Sequence, residues 1–266
     1  MASLPSTITI PVKRDAARHH LLVFHHACGA ATSYHRWALG FPADIEVWLI
    51  ELPGRGRNLQ TPALATLPEV LTHLRELQPL LPRDYAVFGH SMGALVGYCF
   101  ACDMTQLGHP PVWLGASAAE APFYPHRHAR RTGAPVHLRS DEGIIDYMVS
   151  LGGTPREVAE HAELKAMLLD MARADFHLVE ACFPLPAATA LPLPVTVFSG
   201  RDDPVASPAG LQDWARASRQ PVTFHDFDGG HFYLMLRPAA VRDAIVRALN
   251  DARAPRAASR ALPSLP

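Results

Sequence analysis

A serine hydroxyl is a poor nucleophile at neutral pH, and it becomes useful beside a base that is itself oriented by a carboxylate. The stretch Gly89-His90-Ser91-Met92-Gly93 offers such a serine. It follows the apolar run Tyr85-Ala86-Val87-Phe88 and precedes Ala94-Leu95-Val96-Gly97, so the pattern G-x-S-x-G falls between an expected buried strand and an expected, tightly packed helix. Glycines at 89 and 93 remove side chains where strand and helix must nearly touch, which leaves Ser91 on a sharp, strained turn with its hydroxyl exposed. The bare pattern is weakly specific, and its strand-before, helix-after setting is what gives it weight. Unpaired amides at the helix start suit a developing oxyanion.

On such an elbow the partners are expected in the order serine, acid, histidine. His231 fits the base, because Gly229-Gly230-His231-Phe232 is a glycine-rich loop just past the last expected strand. His25 and His26 are rivals by position in a small-residue loop, yet they precede the serine and read better as loop structure or substrate contacts. For the acid, Val197-Phe198-Ser199-Gly200-Arg201-Asp202-Asp203-Pro204 presents two adjacent aspartates after a strand. Adjacent side chains diverge, so only one can face His231. Asp203 is preferred, since Pro204 fixes the backbone beside it and it stands three residues after Gly200; Asp202 is the runner-up and Glu120, after the preceding strand, a more distant alternative. The plain alternative for both aspartates is a solvated turn. The oxyanion donors are expected to be the backbone N–H groups of Met92 and Ala27, the latter in the loop His25 to Ala31 after the early strand Leu21 to Phe24.

The elements that must position these groups alternate in type. Expected strands are Thr7 to Val12 (an edge), Leu21 to Phe24, Ile45 to Leu49, Tyr85 to Phe88, Val112 to Leu114, Val195 to Phe198 and Val222 to Phe227, with helices over Leu67 to Leu80 and Ala239 to Leu249. The rhythm lapses between residues 116 and 191, where Ile144 to Leu151 and Glu157 to Ala181 have amphipathic helical spacing around a Gly152-Gly153-Thr154-Pro155 turn. That segment reads as a helical lid inserted between two core strands. Residues 1–251 are expected to form one domain, and 252–266, rich in Ala, Pro and Arg, a disordered tail.

Composition narrows the partners. Of 266 residues 24 are Lys or Arg and 25 Asp or Glu, a net charge of -1, which leaves no electrostatic footprint for nucleic acid or an anionic membrane. No run of about eighteen uncharged apolar residues occurs, and the start has neither a basic segment nor an apolar one, so a cytoplasmic, monomeric protein is expected. The four cysteines do not form a small disulfide framework, which a chain of this size does not need, and Cys99 and Cys102, although spaced C-x-x-C, read as core packing in the helix after the elbow. Phosphate-loop, dinucleotide and H-E-x-x-H patterns are missing, so neither cofactor nor metal is expected.

Taken together, the residues resemble a known family. His26-Ala27-Cys28-Gly29 is similar to its H-A-G-G loop, Leu52-Pro53-Gly54-Arg55 to its L-P-G-R, and Gly89 to Gly93 to its elbow. Leu151 to Pro155 and Ala172-Arg173-Ala174-Asp175-Phe176 resemble lid segments, and Phe227-Asp228-Gly229-Gly230-His231-Phe232 the base loop. These are features of the external, type II thioesterases that accompany polyketide synthases and nonribosomal peptide synthetases. The resemblance implies an α/β-hydrolase fold, a mostly parallel central sheet flanked by helices and roofed by the lid. It implies hydrolysis of acyl groups from the phosphopantetheine arm of an acyl carrier protein or peptidyl carrier protein, which edits misprimed or stalled chains. Departures from the pattern are Cys28 where glycine is usual, His25 where proline is usual, and Gly56-Arg57-Asn58 without the usual acidic residue. A generic carboxylesterase or peptidase on the same fold is the alternative, and a noncatalytic carrier-binding protein a more distant one. Carriers are usually acidic, so His126 to Arg131, with Arg55 and Arg57, are the expected steering charges.

Overall fold

The computed structural model describes residues 4–127, 133–154, 157 and 162–253. Its centre is a seven-stranded sheet in the order β1-β3-β2-β4-β5-β6-β7, with strands β1 (Ile8–Thr9), β2 (His19–Phe24), β3 (Ile45–Ile50), β4 (Tyr85–His90), β5 (Leu114–Ser117), β6 (Val195–Gly200) and β7 (Thr223–Phe227). All pairings are parallel except β1 with β3. Strands β3, β4, β5 and β6 are buried at every residue, as parallel strands covered on both faces must be.

Helices α1 (Ala31–Leu39), α2 (Leu67–Arg75), α3 (Met92–Gln106), α4 (Asp141–Ser150), α5 (Ala162–Ala181), α6 (Pro208–Gln212), α7 (Tyr233–Leu236) and α8 (Pro238–Arg253) complete the described elements. Helix α3 has apolar or small residues around most of its circumference, and it is buried accordingly, against the sheet and α2. Two apolar clusters flank the sheet: Phe24, Val87, Leu95 and Phe100 on one face, Val23, Phe88, Val241 and Ile245 on the other. A third, smaller cluster of Val136, Ile144, Ile145, Met148, Leu169, Ala172 and Phe176 lies within the lid, and Ala27 and Cys28 pack against it.

Several boundaries differ from expectation. The edge strand is two residues long, and the helix expected over 67–80 stops at Arg75. Strand β5 runs from Leu114 to Ser117 rather than 112 to 114, so the lid begins after the strand has used residues 116 and 117. The reason is packing: a Cβ at Gly115 would meet the rings of Phe88 and Trp113, and a glycine-bearing strand hides its own signal. The first lid helix starts three residues early, at Asp141, where the Ser140 hydroxyl accepts the Gly143 N–H. Helix α8 continues to Arg253, two residues into the expected tail; residues 254–266 lie outside the described ones. Among the described residues no helix is long and apolar enough to cross a membrane.

Candidate active site

Ser91 stands between β4 and α3 at φ 55, ψ -118, a region that non-glycine residues rarely occupy. Neighbouring glycines make the turn possible. A Cβ at Gly89 would collide with the Gly93 carbonyl, and one at Gly93 with the Phe24 carbonyl, so β4, α3 and β2 converge there as only glycine permits. The Ser91 N–H donates to the Ser117 carbonyl at 2.7 Å, which ties the turn to the end of β5.

The loop after β7 folds back on the loop after β6. Arg201 N–H donates to Phe227 O and Asp202 N–H to Gly229 O, and the carbonyls of Gly229 and Gly230 pass so near Gly200 that no Cβ would fit. This brings His231 between Asp203 and Ser91. Its Nδ1–H donates to Asp203 at 2.9 Å (Oδ2) and 3.1 Å (Oδ1), and Nε2 lies 3.0 Å from Ser91 Oγ. With Nδ1 protonated, Nε2 is left as acceptor for the serine hydroxyl. Both of these side chains are buried.

The alternative acids are elsewhere. Asp202 points to solvent, and Glu120 is buried with Oε1 accepting the N–H and hydroxyl of Ser207. The alternative bases are also engaged. His25 Nδ1–H donates to the His26 carbonyl at 2.8 Å, and His26 Nδ1 is hydrogen bonded to the Tyr34 hydroxyl at 2.7 Å. Burial, with Arg55 nearby, pushes His25 down to about 4, and burial with His25 and His231 nearby pushes His26 down to about 3. His90, hydrogen bonded to Ser117, is held well below the ordinary histidine range by burial and then by His231. His26 and His90 are thus neutral imidazoles beside His231, which is itself hydrogen bonded to a carboxylate.

Met92 is the first residue of α3, so its N–H has no partner inside the helix, and Ala27 lines the same cleft as Ser91. The cleft, partly open to solvent, runs between the sheet's carboxyl edge and the lid and is walled by Tyr147, Met148, Phe176, Val179 and Phe232. Its walls suit an apolar chain. Cys99 and Cys102 lie in α3 as free thiols, and burial pushes Cys102 up to about 11. Among the described residues no cluster of three His, Cys, Asp or Glu side chains is placed to hold a metal ion.

Three further residues, named in the sequence only as members of motifs or of a charge cluster, take on specific places around the site. Phe232 packs against His231, His26 and His90 with ring centroids 5.2, 4.8 and 5.6 Å apart. Arg127 lines the cleft, is buried, and donates to the Glu120 carbonyl at 2.7 Å. Asp175, on α5, is fully buried and paired with Arg55. Arg55 therefore cannot serve as a surface steering charge, because both its ends are held inside the protein. Of the cluster His126 to Arg131, His126 is exposed, Arg127 is in the cleft wall, and 128–131 lie outside the described residues.

Comparison with known proteins gives a consistent picture. The family model described as "Thioesterase domain" matches residues 19–252. The chain is 33% identical over 251 residues to a probable cadicidin biosynthesis thioesterase of Streptomyces griseus, covering 93% of this chain and 66% of that one, just under two thirds of its length. It is 32% identical to the gramicidin S biosynthesis protein GrsT of Aneurinibacillus migulanus, covering 83% of this chain and 84% of that one. Among solved structures, the type II thioesterase BorB from the borrelidin biosynthetic cluster superposes with a TM-score of 0.82 at 29% identity, over 94% of this chain and all of that one.

Proposed function

The chain belongs to the thioesterase domain family, and from that premise we propose that it hydrolyses acyl thioesters from the phosphopantetheine arm of acyl or peptidyl carrier proteins through Ser91, His231 and Asp203. The observation that carries the reading is the continuous relay Asp203–His231–Ser91, at 2.9 and 3.0 Å, opening into an apolar, lidded cleft. Relatives named for cadicidin and gramicidin S biosynthesis and a neighbour titled as a type II thioesterase support the choice of substrate and an editing role.

In the first half-reaction Ser91 Oγ attacks the thioester carbonyl and His231 Nε2 takes its proton. The N–H groups of Met92 and Ala27 stabilise the tetrahedral oxyanion. The C–S bond breaks, the proton passes from His231 to the pantetheine sulfur, and the acyl group remains as a Ser91 ester. Water then attacks that ester with His231 as base, and the carboxylic acid and free serine result. Asp203 fixes the imidazole tautomer and stabilises its cationic form throughout.

The test is intact-protein mass spectrometry of carrier proteins loaded with several acyl groups, with and without the enzyme. Catalytic release of the acyl mass, lost in Ser91→Ala, is expected. Turnover of simple esters with every carrier untouched would instead assign a carboxylesterase.

A further inference from the structure

The loop that supplies the Ala27 amide is fastened by four buried side chains. Tyr34 holds His26, Glu51 Oε2 accepts the Ala31 N–H at 3.0 Å, Arg55 Nη1 donates to the Gly29 carbonyl at 3.2 Å, and Asp175 Oδ2 accepts the Cys28 N–H at 2.7 Å. Tyr34, Glu51 and Arg55 belong to the core; Asp175 belongs to the lid helix α5. Asp175 also forms a two-pronged pair with Arg55, Nη1 to Oδ2 and Nη2 to Oδ1, both at 2.7 Å, with side chains 2% and 0% exposed. Arg55 Nε reaches the Pro53 carbonyl, so the guanidinium is anchored on the core side.

The residue whose amide Asp175 holds is the strained one. Cys28 has φ 63, a conformation that costs a non-glycine residue about 1 kcal/mol and persists only when its surroundings impose it. The peptide that bears the Cys28 N–H is the one that follows Ala27, and its orientation is coupled through a single residue to the Ala27 N–H.

We propose that Asp175, backed by Arg55, is a positioning residue that fastens the lid to the oxyanion loop, so that the Ala27 amide is correctly aimed only while α5 is seated. The proposal rests on Ser91 being the nucleophile. Its consequence is a coupling between lid closure and transition-state stabilisation: with the lid lifted, the Cys28 peptide loses its only charged acceptor among the described residues, and the strained loop relaxes. The lid is then part of the reaction centre and not merely a roof over it.

A buried ion pair could be purely structural, and the variants must separate the two roles. Arg55→Met/Asp175→Leu removes both charges in a similar combined volume, a replacement that commonly preserves stability, but it deletes the acceptor for the Cys28 amide. Arg55→Met/Asp175→Asn removes the charge and keeps an acceptor oxygen. With a small acyl thioester, the Leu variant should lose kcat by about 10²-fold, the scale of one oxyanion donor, with KM changed less than about threefold. The Asn variant should keep kcat within about tenfold of wild type. Phosphonylation of Ser91 by a fluorophosphonate, which develops the same oxyanion, should slow in parallel. Equal losses in both variants, or a Leu variant as active as wild type, overturns the proposal.

A measurement on the unmodified protein stands independently of whether the variants fold. The Cys28 amide should exchange with solvent deuterium as slowly as α5 itself, although it lies in a loop, and exchange at loop rates while α5 stays protected overturns the clasp. Wild-type protein that fluorophosphonate fails to label would refute the nucleophile assignment instead, a different outcome from failure of the clasp.

Discussion

Three buried histidines held neutral, His25, His26 and His90, make the fold sensitive to mild acid. Unfolding restores each to an ordinary affinity for protons, near 6.5, whereas in the folded protein His25 titrates at about 4 and His26 at about 3, with burial the main cause; His90 shifts in the same direction. The unfolded chain therefore binds more protons below 6.5, so the stabilisation is fully present above that pH and is lost as pH falls toward the folded values. Between about pH 7 and pH 5 each of the two histidines with a stated value should cost about 2 kcal/mol, a sizeable share of the 5–15 kcal/mol typical of a domain. Reversible urea unfolding at the two pH values measures it. The variant His26→Gln, which cannot titrate, should lose about 2 kcal/mol less than wild type over the same interval, whatever its stability at neutral pH. A wild-type loss under about 1 kcal/mol, or a His26→Gln variant with an undiminished loss, would show that these imidazoles protonate in place and that the reasoning from burial fails.

The relay can be probed residue by residue. Ser91→Ala and His231→Ala should each abolish release of acyl groups from carriers, by similar factors, while circular dichroism stays unchanged, since the two groups act as a unit. Asp203→Asn should lower kcat by about 10³-fold or more while Asp202→Asn stays near wild type, and the reverse order in steady-state kinetics would move the acid to Asp202. Cys28→Gly should be tolerated at φ 63, whereas Cys28→Val, β-branched at a left-handed position, should lower stability by about 1–2 kcal/mol in thermal melts; equal melting temperatures for the two would argue that the loop is not strained.

The geometry near Ser91 was legible because its determinants are local. Gly89 and Gly93 flank the serine, Gly229 and Gly230 precede His231, and Pro204 follows Asp203, so each turn is written within a few residues of the group it aims. The Arg55–Asp175 pair is the opposite case. Its members are 120 positions apart, each is a charged residue that would pass for a surface side chain, and only tertiary packing shows that neither reaches water. Strand β5 was misplaced for a related reason: Gly115 is a glycine because Phe88 and Trp113 crowd it, and long-range packing overrode local strand preference. The lid helices were visible from their spacing, but not the fact that they enclose an apolar cluster of their own.

That separate cluster divides the molecule by tolerance to change. Residues around the elbow admit almost no variation, since Gly89, Gly93 and Gly200 face backbone atoms that cannot retreat. Tyr147, Met148 and Phe176 line the cleft from helices that pack chiefly on one another, so exchanges of volume among them can be absorbed inside the lid. A lineage of such enzymes is thus free to drift in which acyl chain it accommodates while its reaction centre stays fixed, and randomised libraries confined to α4 and α5, with Asp175 left intact, are the place to look for altered chain selectivity.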